Sequence, residues 1–124
     1  MTALLWLTVA SAGALGAVLR ALVSDAVQAR WHRTGAGTLL VNLLGAFALG
    51  AWMGGAAHLD DTWLWVVGTG FLGAFTTFST WMVVLLERWH GGERRAALIE
   101  GALTLSAGVA VTALGGWLAL LALG

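Results

Sequence analysis

The residues of this chain that could do chemistry are electrically neutral. Asn42 supplies a carboxamide; Thr38, Thr76, Thr77, Ser79, Thr80, Thr104 and Thr112 supply hydroxyls; Trp81 supplies an indole N–H. All lie inside long apolar stretches, and the rings of Phe75 and Phe78 add electropositive edges. Distributed donors of this kind can replace the water around a small anion and still let it leave, whereas a full positive charge would hold it. The densest segment is Gly70 to Trp81, with two glycines, four hydroxyls and four aromatic rings where a lipid-facing helix would carry Leu and Val. Irregular backbone survives at membrane depth only when it is buried in protein or lines a polar cavity. The segment therefore points to a site or a pore wall.

Each donor taken singly has a plainer use. A lone Thr or Ser in a membrane helix ordinarily bonds the carbonyl four residues back. A lone Asn ordinarily joins two helices, and aromatic residues three apart ordinarily pack. Residues 76–80 resist that treatment, because five consecutive positions cannot share one helix face.

Other chemistries are poorly supplied. No span interior holds Asp, Glu, Lys or His, so a proton relay is not expected. His32, His58 and His90 fall in connections, no zinc-ligand spacing occurs, and there is no cysteine. Ser79 has no histidine near it in sequence, so no enzyme is expected. Zero net charge and the lack of a basic tail give no reason to expect nucleic acid as a partner.

Positioning these groups falls to four apolar stretches, about 3–22, 36–57, 63–86 and 101–124, each near the ~20 residues that cross a bilayer core of about 30 Å. With 60% hydrophobic residues in 124 and a mean hydropathy of +0.89, the chain reads as one all-α, four-span membrane domain. Ala10-Ser11-Ala12 resembles a signal-peptide cleavage site, but residues 1–19 carry neither Lys nor Arg. Gly13, Gly16 and Ala17 give the first span a small-residue face. That span should end near Arg20, free to snorkel or to pair with Asp25, and residues 23–35 should form an amphipathic surface segment. Thr38, Asn42 and Gly45 share one face of the second span, and a short 58–62 loop should make spans two and three antiparallel neighbours. Gly101, Thr104, Gly108, Thr112 and Gly115 form a stripe along the fourth span.

Trp63, Trp65, Trp89 and Trp117 sit near span ends, as interfacial anchors should. All six basic residues are arginines, placed in or beside the first and third connections, while the second carries Asp60 and Asp61. The positive-inside rule then puts both termini and the 58–62 loop outside. Four spans of this length cannot easily enclose a pore, so a dimer is expected.

Three segments resemble the Fluc/CrcB fluoride channels of microbial membranes: Gly13-Ala14-Leu15-Gly16-Ala17-Val18-Leu19-Arg20, then Gly37 to Phe47, and above all Gly70 to Thr80. The resemblance covers essentially the whole chain in four-span order. It implies a plasma (inner) membrane protein that lets fluoride leave the cytoplasm passively and so lowers its toxicity. It also implies an antiparallel dimer in a dual-topology arrangement, with a fluoride pathway at each side of the interface. The third helix would break near Gly73–Thr76, where the Gly73 and Thr76 carbonyls would hold a structural, non-transported Na⁺. Asn42 would supply a pore donor, Phe78 the first of two pore rings, Thr104 a polar-track position and Arg20 the basic end of the first span. The Phe75, Ser79, Thr80 and Trp81 positions complete the implied pathway, with Thr38 structural.

Two features depart from that pattern. Trp81 stands where the second ring is usually Phe, and the arginines are one-sided where a dual-topology homodimer would want balanced loops. Both suit one subunit of an oppositely oriented, related pair, so homodimer and heterodimer both stay open. The competing functions are a small proton-coupled drug exporter, which needs a carboxylate that residues 3–22 lack, and a non-transporting partner subunit.

Overall fold

The computed structural model describes residues 2–124. The described residues are helical, with no strand: α1 (Ala3–Trp31), α2 (Ala36–Gly54), α3 (61–75), α4 (Ser79–His90) and α5 (Arg94–Leu123), plus one 3₁₀ turn at Ala56–His58. α1, α2, α3 with α4, and α5 make four spans long and apolar enough to cross a membrane. This is a polytopic, all-α membrane protein.

α1 is longer than its sequence suggests. Nothing between Arg20 and Trp31 stops a helix, so residues 23–31 are the last turns of α1, not a separate surface segment. Its 29 residues extend about 43 Å at 1.5 Å each, enough to carry both ends beyond the hydrocarbon. Thr2 Oγ1 accepts from the Leu5 amide at 3.3 Å to start it. His32 ends it in the left-handed conformation (φ 51°), its amide donating to the Gln28 carbonyl.

The helices pack where side chains are missing. α1 lies mainly on α3 and α2 mainly on α5, so the short 58–62 connection joins two spans whose mutual contact is the lesser one. Gly16 sits against the Phe71 carbonyl so closely that a methyl group would overlap it, and Gly13 faces Gly70 at the same crossing. Gly50 lies against the Thr112 carbonyl and Gly115 against that of Phe47. Lipid tails give helices no hydrophobic reason to associate, so close backbone approach is what small residues contribute. The buried apolar core is correspondingly thin: Ala36, Val41, Leu72, Val84 and Ala97, of which Val41 alone is fully buried.

The third span departs from regular helix twice. Leu64–Leu72 is wound wide as π-helix, ending with the Gly73 amide reaching back five residues to Gly68 and also to Gly70. Such turns are uncommon and concentrate at functional positions. Gly73 itself is helical (φ −60°, ψ −36°). The break comes just after it, at Thr76 (φ −90°, ψ 160°), and helix resumes at Ser79. The expected break is present, displaced toward the C-terminal edge of the 73–76 window.

Candidate functional site

Asn42 braces the break from α2. Asn42 Nδ2 donates to the Thr77 carbonyl at 2.9 Å, and the Thr77 amide donates to Asn42 Oδ1 at 2.8 Å. In a continuous helix that amide would bond the Gly73 carbonyl; Asn42 competes for it and wins with two bonds. Gly45, almost a turn further along α2, lacks the methyl that would collide with Thr76, so α2 can approach this closely. The face shared by Thr38, Asn42 and Gly45 therefore meets the break, with Thr38 buried (6% exposed) beyond its edge.

An open groove of about 640 Å³ runs between α2, the break, α4 and α5. Its wall brings together Asn42, Thr76, Thr77, Phe78, Trp81 and Thr104. Gly108 keeps it open, with nothing within 4 Å of where a Cβ would stand. Phe78 and Trp81 meet edge to face, centroids 5.7 Å apart and planes at 74°. The Trp81 indole N–H is buried without a partner, as is that of Trp52, which packs beside Gly68.

The hydroxyls divide into two kinds. Thr76 and Thr112 bond their own helices, to the Leu72 carbonyl (3.2 Å) and the Gly108 carbonyl (2.8 Å). Thr77 Oγ1 accepts from the Thr80 amide at 3.3 Å, donates to Thr80 Oγ1 at 3.2 Å and lies 3.4 Å from Ser79 Oγ, so this trio starts α4. Ser79 and Thr80 sit in that exposed first turn, outside the groove wall. Thr104 makes no hydrogen bond among the described residues and faces the groove with its hydroxyl uncommitted. Phe75 also lies outside the wall, stacked on Phe71 at 6.1 Å with planes 7° apart.

Arg20 is placed differently from its sequence reading. Its guanidinium neither snorkels to a helix end nor pairs with Asp25; Arg20 Nη1 donates to the Thr76 carbonyl at 3.3 Å. A cation inside a span needs such a partner, and a carbonyl freed by a helix break is one. The break also leaves the Gly73 carbonyl without its helical donor, because Asn42 holds the Thr77 amide. A neutral oxygen released this way suits a hard cation, as does that of Thr76, whose second lone pair Arg20 leaves available. The Gly73 carbonyl is free for the role the resemblance implies, while that of Thr76 already carries the Arg20 guanidinium.

Sequence reasoning passed over several wall residues. Ala46 and Leu49 lie four and seven residues from Asn42, one and two turns along the same face of α2, a periodicity that would have found them. It also passed over an ion-pair cluster of Arg33, Arg88 and Glu100, whose members are scattered along the chain and share no spacing.

The family model described as CrcB-like protein, Camphor Resistance (CrcB), matches residues 7–116. "Fluoride-specific ion channel FluC 2" of Mycobacterium bovis is 43% identical over 123 residues, covering 96% of this chain and 94% of that one. "Fluoride-specific ion channel FluC 1" of Symbiobacterium thermophilum is 40% identical over 125 residues, covering 90% and 97%. "Fluoride-specific ion channel FluC 1" of Geobacillus kaustophilus reaches 54% over 74 residues, covering 60% and 62%. With a fold of four spans, a broken third span and matches along nearly its whole length, the chain belongs to the CrcB family.

Proposed function

We propose that this chain is a fluoride-selective channel subunit, not an enzyme, that lets fluoride leave the cytoplasm down its electrochemical gradient. One observation carries the choice of ion: relatives about 40% identical over nine-tenths of the chain are fluoride-specific channels. The groove suits a small, strongly hydrated anion. Asn42 builds the wall, Thr104 offers a free hydroxyl, and the Phe78–Trp81 pair presents ring edges, all without an ionised side chain in the groove wall.

A groove open along one side needs a second wall, and an antiparallel partner supplies it in this reading. Arg30, Arg33, Arg88, Arg94 and Arg95 gather at one end of the bundle and Asp60 and Asp61 at the other, so each copy has a preferred orientation with both termini outside. That favours a related subunit of opposite orientation over a second identical copy. The Gly73 and Thr76 carbonyls would hold a sodium ion at the break, joined by the partner's equivalents; bound there, it would lock the break's geometry without being transported.

The test is fluoride release from potassium-loaded liposomes containing the purified oligomer, followed with a fluoride electrode and with chloride as control. Selective fluoride release is expected. Chloride release at the same rate, or none of either ion, would overturn the reading. Release from this chain reconstituted alone would refute the need for a different partner while leaving the channel intact.

A further inference from the structure

The groove has a neighbour, and the two share a residue. A second cavity of about 520 Å³ lies between α2 and α5 and also reaches Thr104. It ends at the basic end of the bundle among three charged side chains, Arg33, Arg88 and Glu100. Glu100 stands one helical turn before Thr104 on the same face of α5. An ion moving from that end toward Thr104 passes this carboxylate.

The carboxylate is heavily masked. Arg88 Nε lies 2.8 Å from Glu100 Oε2, off the N–H axis, so the contact is charge against charge more than a hydrogen bond. Arg33 Nη2 approaches the same oxygen to 4.0 Å. The side chains of Glu100 and Arg88 are only 17% and 22% exposed, whereas that of Arg33 is 61% exposed. Arg88 also reaches Glu93 at 3.4 Å, a carboxylate 61% exposed at the outer edge.

A bare carboxylate beside a narrow, partly dehydrated path repels an anion more strongly than it would in water. A bare guanidinium there would trap one. Pairing Arg88 with Glu100 removes both hazards at the buried position and leaves the exposed Arg33 as the unbalanced charge of the three. Resting on the fluoride-channel reading, we propose that Arg33, Arg88 and Glu100 form a charge filter at the basic mouth of the path. Glu100 fixes the half-buried Arg88, Arg88 cancels Glu100, and the exposed Arg33 draws anions toward Thr104.

The rival role for the same contacts is a latch tying the end of α4 to the start of α5, and neutralising the charges singly and together separates the two. Fluoride release would be measured for the wild-type oligomer, Arg33→Gln, Arg88→Gln, Glu100→Gln and Arg88→Gln/Glu100→Gln. Each would be run at roughly 0.01 M and roughly 1 M ionic strength, where screening lengths are about 30 and 3 Å. The filter predicts about tenfold slower release for Arg88→Gln at low salt, recovering to about twofold at high salt, and substantial rescue by the added Glu100→Gln. A double variant no faster than Arg88→Gln, or a deficit equal at both salts, would overturn it in favour of the latch. Should Arg88→Gln not assemble, Arg33→Gln decides: slowing confined to low salt supports the filter, and unchanged release at both salts refutes it. A wild-type oligomer that releases no fluoride sinks the channel reading itself; a conducting wild type with salt-independent variants sinks only the filter.

Discussion

Asn42 and Thr77 exchange two hydrogen bonds, 2.9 and 2.8 Å long, so that one carboxamide satisfies both backbone groups of a residue outside any helix. No other side chain among the described residues bonds both the amide and the carbonyl of one residue. Replacing it leaves two polar backbone groups unmatched in a membrane interior. Asn42→Leu should lower stability by about 2–6 kcal/mol, since each of the two unsatisfied groups costs about 1–3 kcal/mol. Thermal unfolding in detergent reads the loss, and fluoride release should disappear in whatever fraction still assembles. A variant as stable and as conducting as wild type would remove Asn42 from the centre of the site.

Thr104 and Thr112 are on one stripe of α5 yet differ in what their hydroxyls do. The Thr112 hydroxyl is spent on its own helix at 2.8 Å, and that of Thr104 is free in the groove. Thr104→Val should slow fluoride release severalfold, and Thr112→Val should leave it near wild type. Equal effects would mean that the stripe serves packing alone.

Trp81 carries a buried indole N–H with no acceptor, a state that costs about 1–3 kcal/mol. Trp81→Phe removes the donor and keeps a ring for Phe78 to meet edge-on. Detergent melting should show a gain of about 1 kcal/mol, with fluoride release retained. Loss of release in a stabilised variant would assign the indole N–H to the ion instead.

Gly16 and Gly108 offer a steric contrast. A methyl at Gly16 would overlap the Phe71 carbonyl, a backbone atom that cannot swing aside, whereas one at Gly108 meets nothing within 4 Å. Gly16→Ala should destabilise by about 1–3 kcal/mol, the usual cost of overpacking, and Gly108→Ala should melt like wild type. Similar melting of the two variants would show that the α1–α3 crossing relaxes freely.

Much of this arrangement was legible in the chain because the bilayer restricts what apolar stretches can do. Four spans, the glycine face of α1 and the polar face of α2 each follow from composition and a 3.6-residue period. The meeting of Asn42 with Thr77 was not legible: residues 35 apart carry no spacing rule, and only the α2–α3 approach across Gly45 brings them together. Arg20 misled for a related reason. The length of α1 beyond residue 20 keeps it from any end, and the acceptor it found exists only once the helix has broken. The same distance in sequence hid the Arg33–Glu100–Arg88 cluster.

The interruption at Thr76–Phe78 has an electrical consequence. It converts what would be one 30-residue rod, Asp61–His90, into two shorter ones whose facing tips lie near the middle of the span. Aligned peptide dipoles leave about half a negative charge on the carbonyl tip of α3 and about half a positive charge on the amide tip of α4. Both signs of potential therefore exist within three residues of each other, at one depth, without an ionised side chain supplied by either tip. A backbone cut at this point gives a neutral sequence its own small battery, and Arg20 at the Thr76 carbonyl is seated at the negative pole.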